Sequence, residues 1–208
     1  MKNRKRPSRL KLQVRKVTPL SPRFVRAFRL AARLHAGQGR KGTEVPYLAH
    51  LMGVASLVLE AGGDEDLAIA ALLHDAVEDC GGQPTLRLIR RQFGSRVARV
   101  VEECTDADTL PKPPWRERKQ RYLAHLPQAS ADGRLVSAAD KLHNARAILT
   151  DYRLVGDGVW DRFKGGRDGT LWYYRALVET FRRLGTNRVV EELARTVEEL
   201  ERAIGNKR

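Results

Sequence analysis

Between residues 71 and 80 the chain reads ALLHDAVEDC, placing His74, Asp75, Glu78 and Asp79 at the end of the apolar run AIAALL. On a helix advancing about 100° per residue, His74, Glu78, Asp75 and Asp79 project at about 0°, 40°, 100° and 140° and share one side. Burying an imidazole and three carboxyls together is costly unless something neutralises them, and a divalent cation would do so. Two other segments offer donors: His50 in PYLAH, and Asp140 in SAADKLHNARAIL with Asn144 four residues on. His50, His74, Asp75 and Asp140 make a mixed nitrogen and oxygen set without thiolates. That set argues against a structural zinc site and suits Mn²⁺, Fe²⁺ or a similar ion with positions open to water and substrate. Each residue alone has a plainer explanation, a buried histidine paired to a carboxylate; their conjunction favours the metal.

The elements that must position these residues are helical. SPRFVRAFRLAARLHAG opens with Ser21 as N-cap and Pro22 at the first helical position, carries Phe24, Phe28 and Ala31 as its apolar stripe and ends at Gly37. QGRKGTEV is a loop whose glycines suggest mobility around Arg40 and Lys41. PYLAHLMGVASLVLEAGG is a second helix with Leu51, Val54 and Val58 on one face. DEDLAIAALLHDAVEDCGG reads as a single third helix with acids at its N-terminus. Short helices follow in TLRLIRRQF and SRVARVVEEC, separated by Gly94, then PWRERKQRYLAHL and ADGRLVSAADKLHNARAIL. RLVGDGVWDRFKGGRDG reads as a loop, TLWYYRALVETFRRLG as a helix, and NRVVEELARTVEELERAIG as a closing helix with Val190, Leu193, Val197 and Leu200 on its stripe. No segment alternates as a strand would and none repeats. The class is all-α, with about eight to ten helices.

At 208 residues the chain is expected to be one domain over residues 21–208 preceded by a basic, flexible arm over residues 1–20. The net charge of +14 is concentrated: residues 1–43 hold fourteen Lys or Arg and no acid, while the rest holds twenty-five of each sign. Such an arm is a solvated tail, or an electrostatic contact for nucleic acid or an anionic small molecule; lacking aromatics in its first sixteen residues, it has nothing to stack on bases. No apolar run is long enough to span a bilayer, and no signal-peptide pattern follows the basic start. Cys80 and Cys104 lack metal-type spacing and read as reduced thiols of a cytoplasmic protein.

Four motifs in order, GRKGTEVPYLAH, AALLHDAVEDC, FGSRVARVVEECTD and ADKLHNAR, resemble the hydrolase domain of the RelA/SpoT family. That family belongs to the HD-domain metal-dependent phosphohydrolases, whose ligand pattern is H…HD…D. The likeness covers about residues 22 to 150, and no synthetase, TGS or ACT region follows, as in a small alarmone hydrolase. It implies an HD-domain helical bundle and one Mn²⁺ per chain on His50, His74, Asp75 and Asp140. It implies that Glu78 and Asp79, the HDxxED acids, activate and position the attacking water. Arg40 and Lys41 match the pair that cradles the base and phosphate side of the nucleotide, Tyr47 and Asn144 match nucleotide-contacting positions, and Lys112 matches a substrate-binding lysine. The implied reaction is hydrolysis of the 3′-pyrophosphate of ppGpp or pppGpp, giving GDP or GTP and pyrophosphate.

The residues carry a parallel physical logic. Hydrolysing so anionic a nucleotide requires neutralisation by metal and by Arg or Lys. Glu78, one turn beyond His74, can reach a metal-activated water, and Asp79 can orient it or protonate the leaving oxygen; the division between them stays open. His35 reads as a packed imidazole, His143 as a neighbour of the ligands and His125 as structural. Trp115, Trp172, Tyr173 and Tyr174 read as core first and as a cover for a base second. Leu51 stands where many relatives have proline, and Ala147 where the long enzymes often have threonine, so base preference stays open. The alternatives are hydrolysis of (p)ppApp, NADPH or another nucleotide phosphate; a non-catalytic binder of alarmone or nucleic acid; and a helical scaffold whose acids coincide.

Overall fold

The computed structural model describes residues 17–106 and 113–205. Lys112 and most of the arm lie outside the described residues, where the expectations attached to them stay untested. Ten α-helices run through the described chain: α1 (Pro22–Leu34), α2 (Tyr47–Glu60), α3 (Glu65–Leu73), α4 (Ala76–Asp79), α5 (Gly82–Phe93), α6 (Ser95–Cys104), α7 (Trp115–His125), α8 (Ala131–Val155), α9 (Gly166–Leu184) and α10 (Arg188–Gly205). Short 3-10 turns occupy Leu126–Gln128 and Gly156–Arg162. Among the described residues there is no strand, only an isolated bridge between Gly39 and Pro46.

The centre of the bundle is α3. Every residue from Leu67 to Leu73 is buried, and a helix apolar on all sides can only lie inside. It packs against α1, α2, α6 and α8, and α8 in turn packs on α2, α6 and α10. Asp64 caps α3, its carboxylate accepting from the Leu67 amide at 3.1 Å, and Glu65 accepts from the Ser21 amide at 2.6 Å, which ties the start of α1 to the start of α3. The long α8 begins at Ser130, which accepts from the Gly133 amide and donates to Glu103 of α6 at 2.6 Å. A Cβ at Gly133 would sit 2.0 Å from the Glu103 carboxylate and would displace it from this contact.

Several local expectations change. The segment read as one third helix is two: α3 stops at Leu73, His74 and Asp75 form a turn, and α4 is a single turn. The backbone stays right-handed at His74 (φ −60°, ψ −32°) but flattens at Asp75 (φ −95°, ψ −3°), a tighter turn. On α1 the buried stripe is Ala27, Leu30 and Ala31, with Phe24 and Phe28 only half-buried against the core. Residues 156–162, read as loop, wind into a 3-10 turn, and α9 begins four residues before Thr170. The expected α1 cap, the α2 face of Leu51, Val54 and Val58, and the α10 stripe are all present.

Candidate metal centre and active site

The turn between α3 and α4 exists at the point where the buried helix meets α2 and α8. It delivers His74 and Asp75 opposite His50 of α2 and Asp140 of α8. The helix bearing Asp140 is seventh among those read from the sequence and eighth in the structure, because α4 is a separate element. One ligand atom each from His50, His74 and Asp140 lie within 4.8 Å of one another, and all three side chains are buried. Asp75 lies at the edge of this group, its Oδ2 at 3.0 Å from His74 Nε2 and 3.7 Å from His50 Nε2. Asp140 Oδ1 stands 3.2 Å from His50 Nε2 and 3.6 Å from His74 Nε2.

The imidazole tautomers follow from their other partners. His74 Nδ1 lies 2.8 Å from the Ala71 carbonyl, which only accepts, so Nδ1 carries a proton and Nε2 is the nitrogen turned toward the carboxylates, free to bind an ion when the ring is neutral. His50 Nδ1 lies 2.9 Å from Nδ1 of His143, one ring donating to the other. Both Nε2 atoms are buried and make no hydrogen bond. Two buried imidazole nitrogens and two carboxylates thus converge on one small space, a donor set that a cation between them would satisfy. The residues present therefore fit a divalent ion, with nitrogen and oxygen donors and no thiolate.

These groups act strongly on one another. Burial pushes the Asp75 and Asp140 carboxyls up, but the His74 imidazole beside Asp75, and Lys141 with the two imidazoles beside Asp140, hold both well below the usual range. Burial lowers His50 and also opposes charge on His74, where the two carboxylates win and raise it. Around this centre the hydroxyl of Tyr47 donates to Asp75, Lys141 pairs with Asp140, and Asn144 donates to Asp140 at 2.6 Å. Arg40 donates to the Asn144 amide oxygen at 3.0 Å, connecting the loop before α2 to α8.

The two expected catalytic acids lie apart on α4. Glu78 is half-buried and accepts from the Asp106 amide at 3.3 Å, with Arg118 3.8 Å away. Asp79 is exposed and accepts from Gln38 Nε2 at 3.0 Å. Both belong to a four-residue helix that is anchored in the core by Ala76 and Val77, and the acids leave it on its less buried side.

Next to the centre opens a cavity of about 510 Å³ whose lining includes Arg40, Lys41, Tyr47, Lys119, Lys141 and Asn144, with Trp115, Phe163, Tyr173 and Tyr174 among its aromatic walls. Lys41 lies over the Phe163 ring, 5.8 Å from its centroid. Four cations and several aromatic faces suit a polyanion attached to a planar base. The loop bearing Arg40 and Lys41 is tied by backbone bonds from Arg40 to Val45 at 2.7 Å, from Thr43 to Arg40 at 3.0 Å and from Tyr47 to Gln38 at 2.8 Å. Its glycines, read as a source of mobility, serve turn geometry: Gly42 has φ +71° and its Cβ would strike the Arg162 side chain.

Of the expected site residues, the structure brings together His50, His74, Asp75 and Asp140 at one centre and Tyr47, Asn144, Arg40 and Lys41 at the adjoining cavity, while Glu78 and Asp79 stand on α4, each held by a different segment. Sequence reasoning assigned no role to Lys141, Asp106, Arg118, Lys119 or Gln38. Asp106 and Lys141 lie within the motifs VEECTD and ADKLHNAR, where a charge in an apolar context signals a partner. Arg118 and Lys119 both reach Asp106, and no spacing rule links α7 to that turn. His35 is buried as expected, whereas His125 is exposed. Trp115, Tyr173 and Tyr174 line the cavity while packing on the core, and Trp172 instead carries the Arg116 guanidinium 3.4 Å from its ring.

Comparison with known proteins gives a consistent set. A family model described as HD domain matches residues 27–171. The chain is 39% identical over 166 residues to the human guanosine-3′,5′-bis(diphosphate) 3′-pyrophosphohydrolase MESH1, covering 78% of this chain and 85% of that protein. It is 44% identical over 128 residues to the Xenopus tropicalis MESH1 of the same description, covering 60% and 69%. A solved structure of a metazoan ortholog of SpoT, described as hydrolysing ppGpp with a role in starvation responses, superposes with a TM-score of 0.70 at 30% identity, over 91% of this chain and 98% of that one.

Proposed function

This chain belongs to the HD-domain family, and from that premise we propose that it is a (p)ppGpp 3′-pyrophosphohydrolase releasing pyrophosphate and GDP or GTP. The observation that carries the reading is the pair of buried Nε2 atoms of His50 and His74 that converge, without forming a hydrogen bond, on the carboxylates of Asp75 and Asp140 beside a cationic, aromatic cavity. The named activity of the human and frog relatives and of the solved ortholog supports the substrate.

His50, His74, Asp75 and Asp140 would hold the ion, for which we take Mn²⁺, one per chain. When bound, it would lower the pKa of water so that a hydroxide-like nucleophile exists near neutral pH. Glu78, which accepts from the Asp106 amide, stands on α4 directly after the His74–Asp75 turn and takes the proton of the attacking water. Asp79 orients that water or protonates the leaving oxygen. Arg40 and Lys41, with Lys119 and Lys141 across the cavity, neutralise the pyrophosphates as charge develops on the leaving oxygen. Tyr47 and Asn144 fix the carboxylates and border the nucleotide, and Phe163, Tyr173 and Trp115 offer faces to the base. Lys112 is assigned to the substrate by resemblance alone. Among the described residues no helix is long and apolar enough to cross a membrane. Free thiols at Cys80 and Cys104 fit the reducing cytoplasm, where we place the activity.

Product analysis tests the whole reading. Purified protein with ppGpp, pppGpp, their adenosine counterparts and NADPH, with Mn²⁺ present or chelated, should release pyrophosphate and GDP or GTP only with the ion. Absence of pyrophosphate from the guanosine substrates, or equal turnover under chelation, would overturn it.

A further inference from the structure

A chain of hydrogen bonds reaches Asp79 from a histidine that the mechanism does not use. Gln38 Nε2 lies 3.0 Å from Asp79 Oδ2, and Gln38 Oε1 lies 2.7 Å from His35 Nδ1. The orientation of the amide is fixed by chemistry. An ionised carboxylate only accepts, so the Gln38 amide must point its NH₂ at Asp79 and its oxygen at His35. His35 Nδ1 must then donate, which sets its tautomer. The ring is buried, at 4% exposure, and lies stacked on Tyr47 with centroids 5.2 Å apart and planes 22° from parallel. Tyr47 itself donates to Asp75. Gln38 is further held by its backbone, its carbonyl accepting from the Tyr47 amide at 2.8 Å and its amide donating to the His35 carbonyl at 3.1 Å.

Asp79 sits at the last position of a four-residue helix and its side chain is exposed, and a hydrogen bond from a backbone-anchored amide restricts the rotamers open to its carboxylate.

We propose that His35 and Gln38 form a positioning relay that aims the Asp79 carboxylate at the reacting phosphate, with His35 fixing the amide and the amide fixing the acid. The proposal rests on the hydrolase reading. It assigns a role to the Gln of GQGRKG distinct from substrate binding by Arg40 and Lys41 in the same loop. The relay acts on the chemical step, so its loss lowers kcat, whereas a disturbed loop raises KM.

The test uses full-length protein with Mn²⁺ and ppGpp. Gln38→Leu should lower kcat about 10- to 100-fold with KM within about twofold of wild type. Gln38→Glu should lower kcat at least as far as Gln38→Leu and alter the pH–rate profile, because a like charge then faces Asp79. At His35 the contrast is between phenylalanine, which keeps the stack on Tyr47 but loses the donor, and asparagine, whose Nδ2 stands in for Nδ1. His35→Phe should show the kcat loss and His35→Asn should restore most of it. Wild-type kcat and pH profile in both Gln38 variants, a rise in KM alone, or equal behaviour of the two His35 variants would each refute the relay. A wild type that releases no pyrophosphate would instead refute the hydrolase reading.

Discussion

His50 and His74 each use one ring nitrogen on the protein and turn the other toward carboxylates, while Glu78 and Asp79 stand outside that group on α4. The two sets should therefore separate by mutation. Asp75→Ala should abolish both metal binding and turnover. Glu78→Ala should bind the ion as wild type does and lose at least about 100-fold in kcat, the contribution of one positioned general base. Titration of the metal alone, alongside turnover, checks both, and a fully active Glu78→Ala would remove that residue from the mechanism. A third residue matters through the space it leaves. A Cβ at Gly53 would lie 2.3 Å from the His143 ring, the partner of His50 Nδ1. Gly53→Ala should displace His143 and weaken ion affinity about 10- to 100-fold, as losses of a ligand's supporting hydrogen bond do. Competition against a chelator reads this directly, and unchanged affinity would show that His143 does not support His50.

Among the elements, α3 has the most to hold in place, because its C-terminal end carries His74 and Asp75. Its N-terminal end is fastened by Asp64, which caps the helix and also receives a hydrogen bond from Arg96. Asp64→Ala should cost about 1 kcal/mol and lower Tm by about 2–4 °C. Partial burial opposes the Asp64 charge, but the Arg96 and Leu67 donors hold its carboxyl below the ordinary value. Its stabilising contribution is present above about pH 4, the unfolded-state value, and is lost as the pH falls through the lower folded value. The Tm gap between wild type and Asp64→Ala should accordingly close in acid; a gap independent of pH would mean that the charge contributes nothing. The break between α3 and α4 was not legible because the dihedrals at His74 and Asp75 are near-helical, and periodicity cannot register a turn of that kind. The loop of Gly39 and Gly42 was legible as a loop, but its backbone closure was not, since those bonds depend on where α2 begins.

For the molecule as a whole, charge divides the chain. All of the +14 arises within residues 1–43, and the nucleic-acid contact expected of the arm falls mainly on residues outside the described ones. If that contact exists, removing residues 1–17 should leave ppGpp turnover unchanged and abolish salt-sensitive retention on immobilised RNA. A truncated protein retained as strongly as the full chain would exclude the arm. What the sequence determined by itself was the helical class, the caps and stripes that place each helix, and the residue types able to hold an ion, because these depend on local spacing and on chemistry carried by single side chains. Only the tertiary structure decided which atoms face one another. The Nε2 atoms left without partners, the Arg40–Asn144–Asp140 connection, the convergence of Arg118 and Lys119 on Asp106 and the Gln38 contact with Asp79 all join segments far apart in the chain. Their geometry follows from how α2, α3, α7 and α8 pack, and packing is a property of the whole core, which no local pattern encodes.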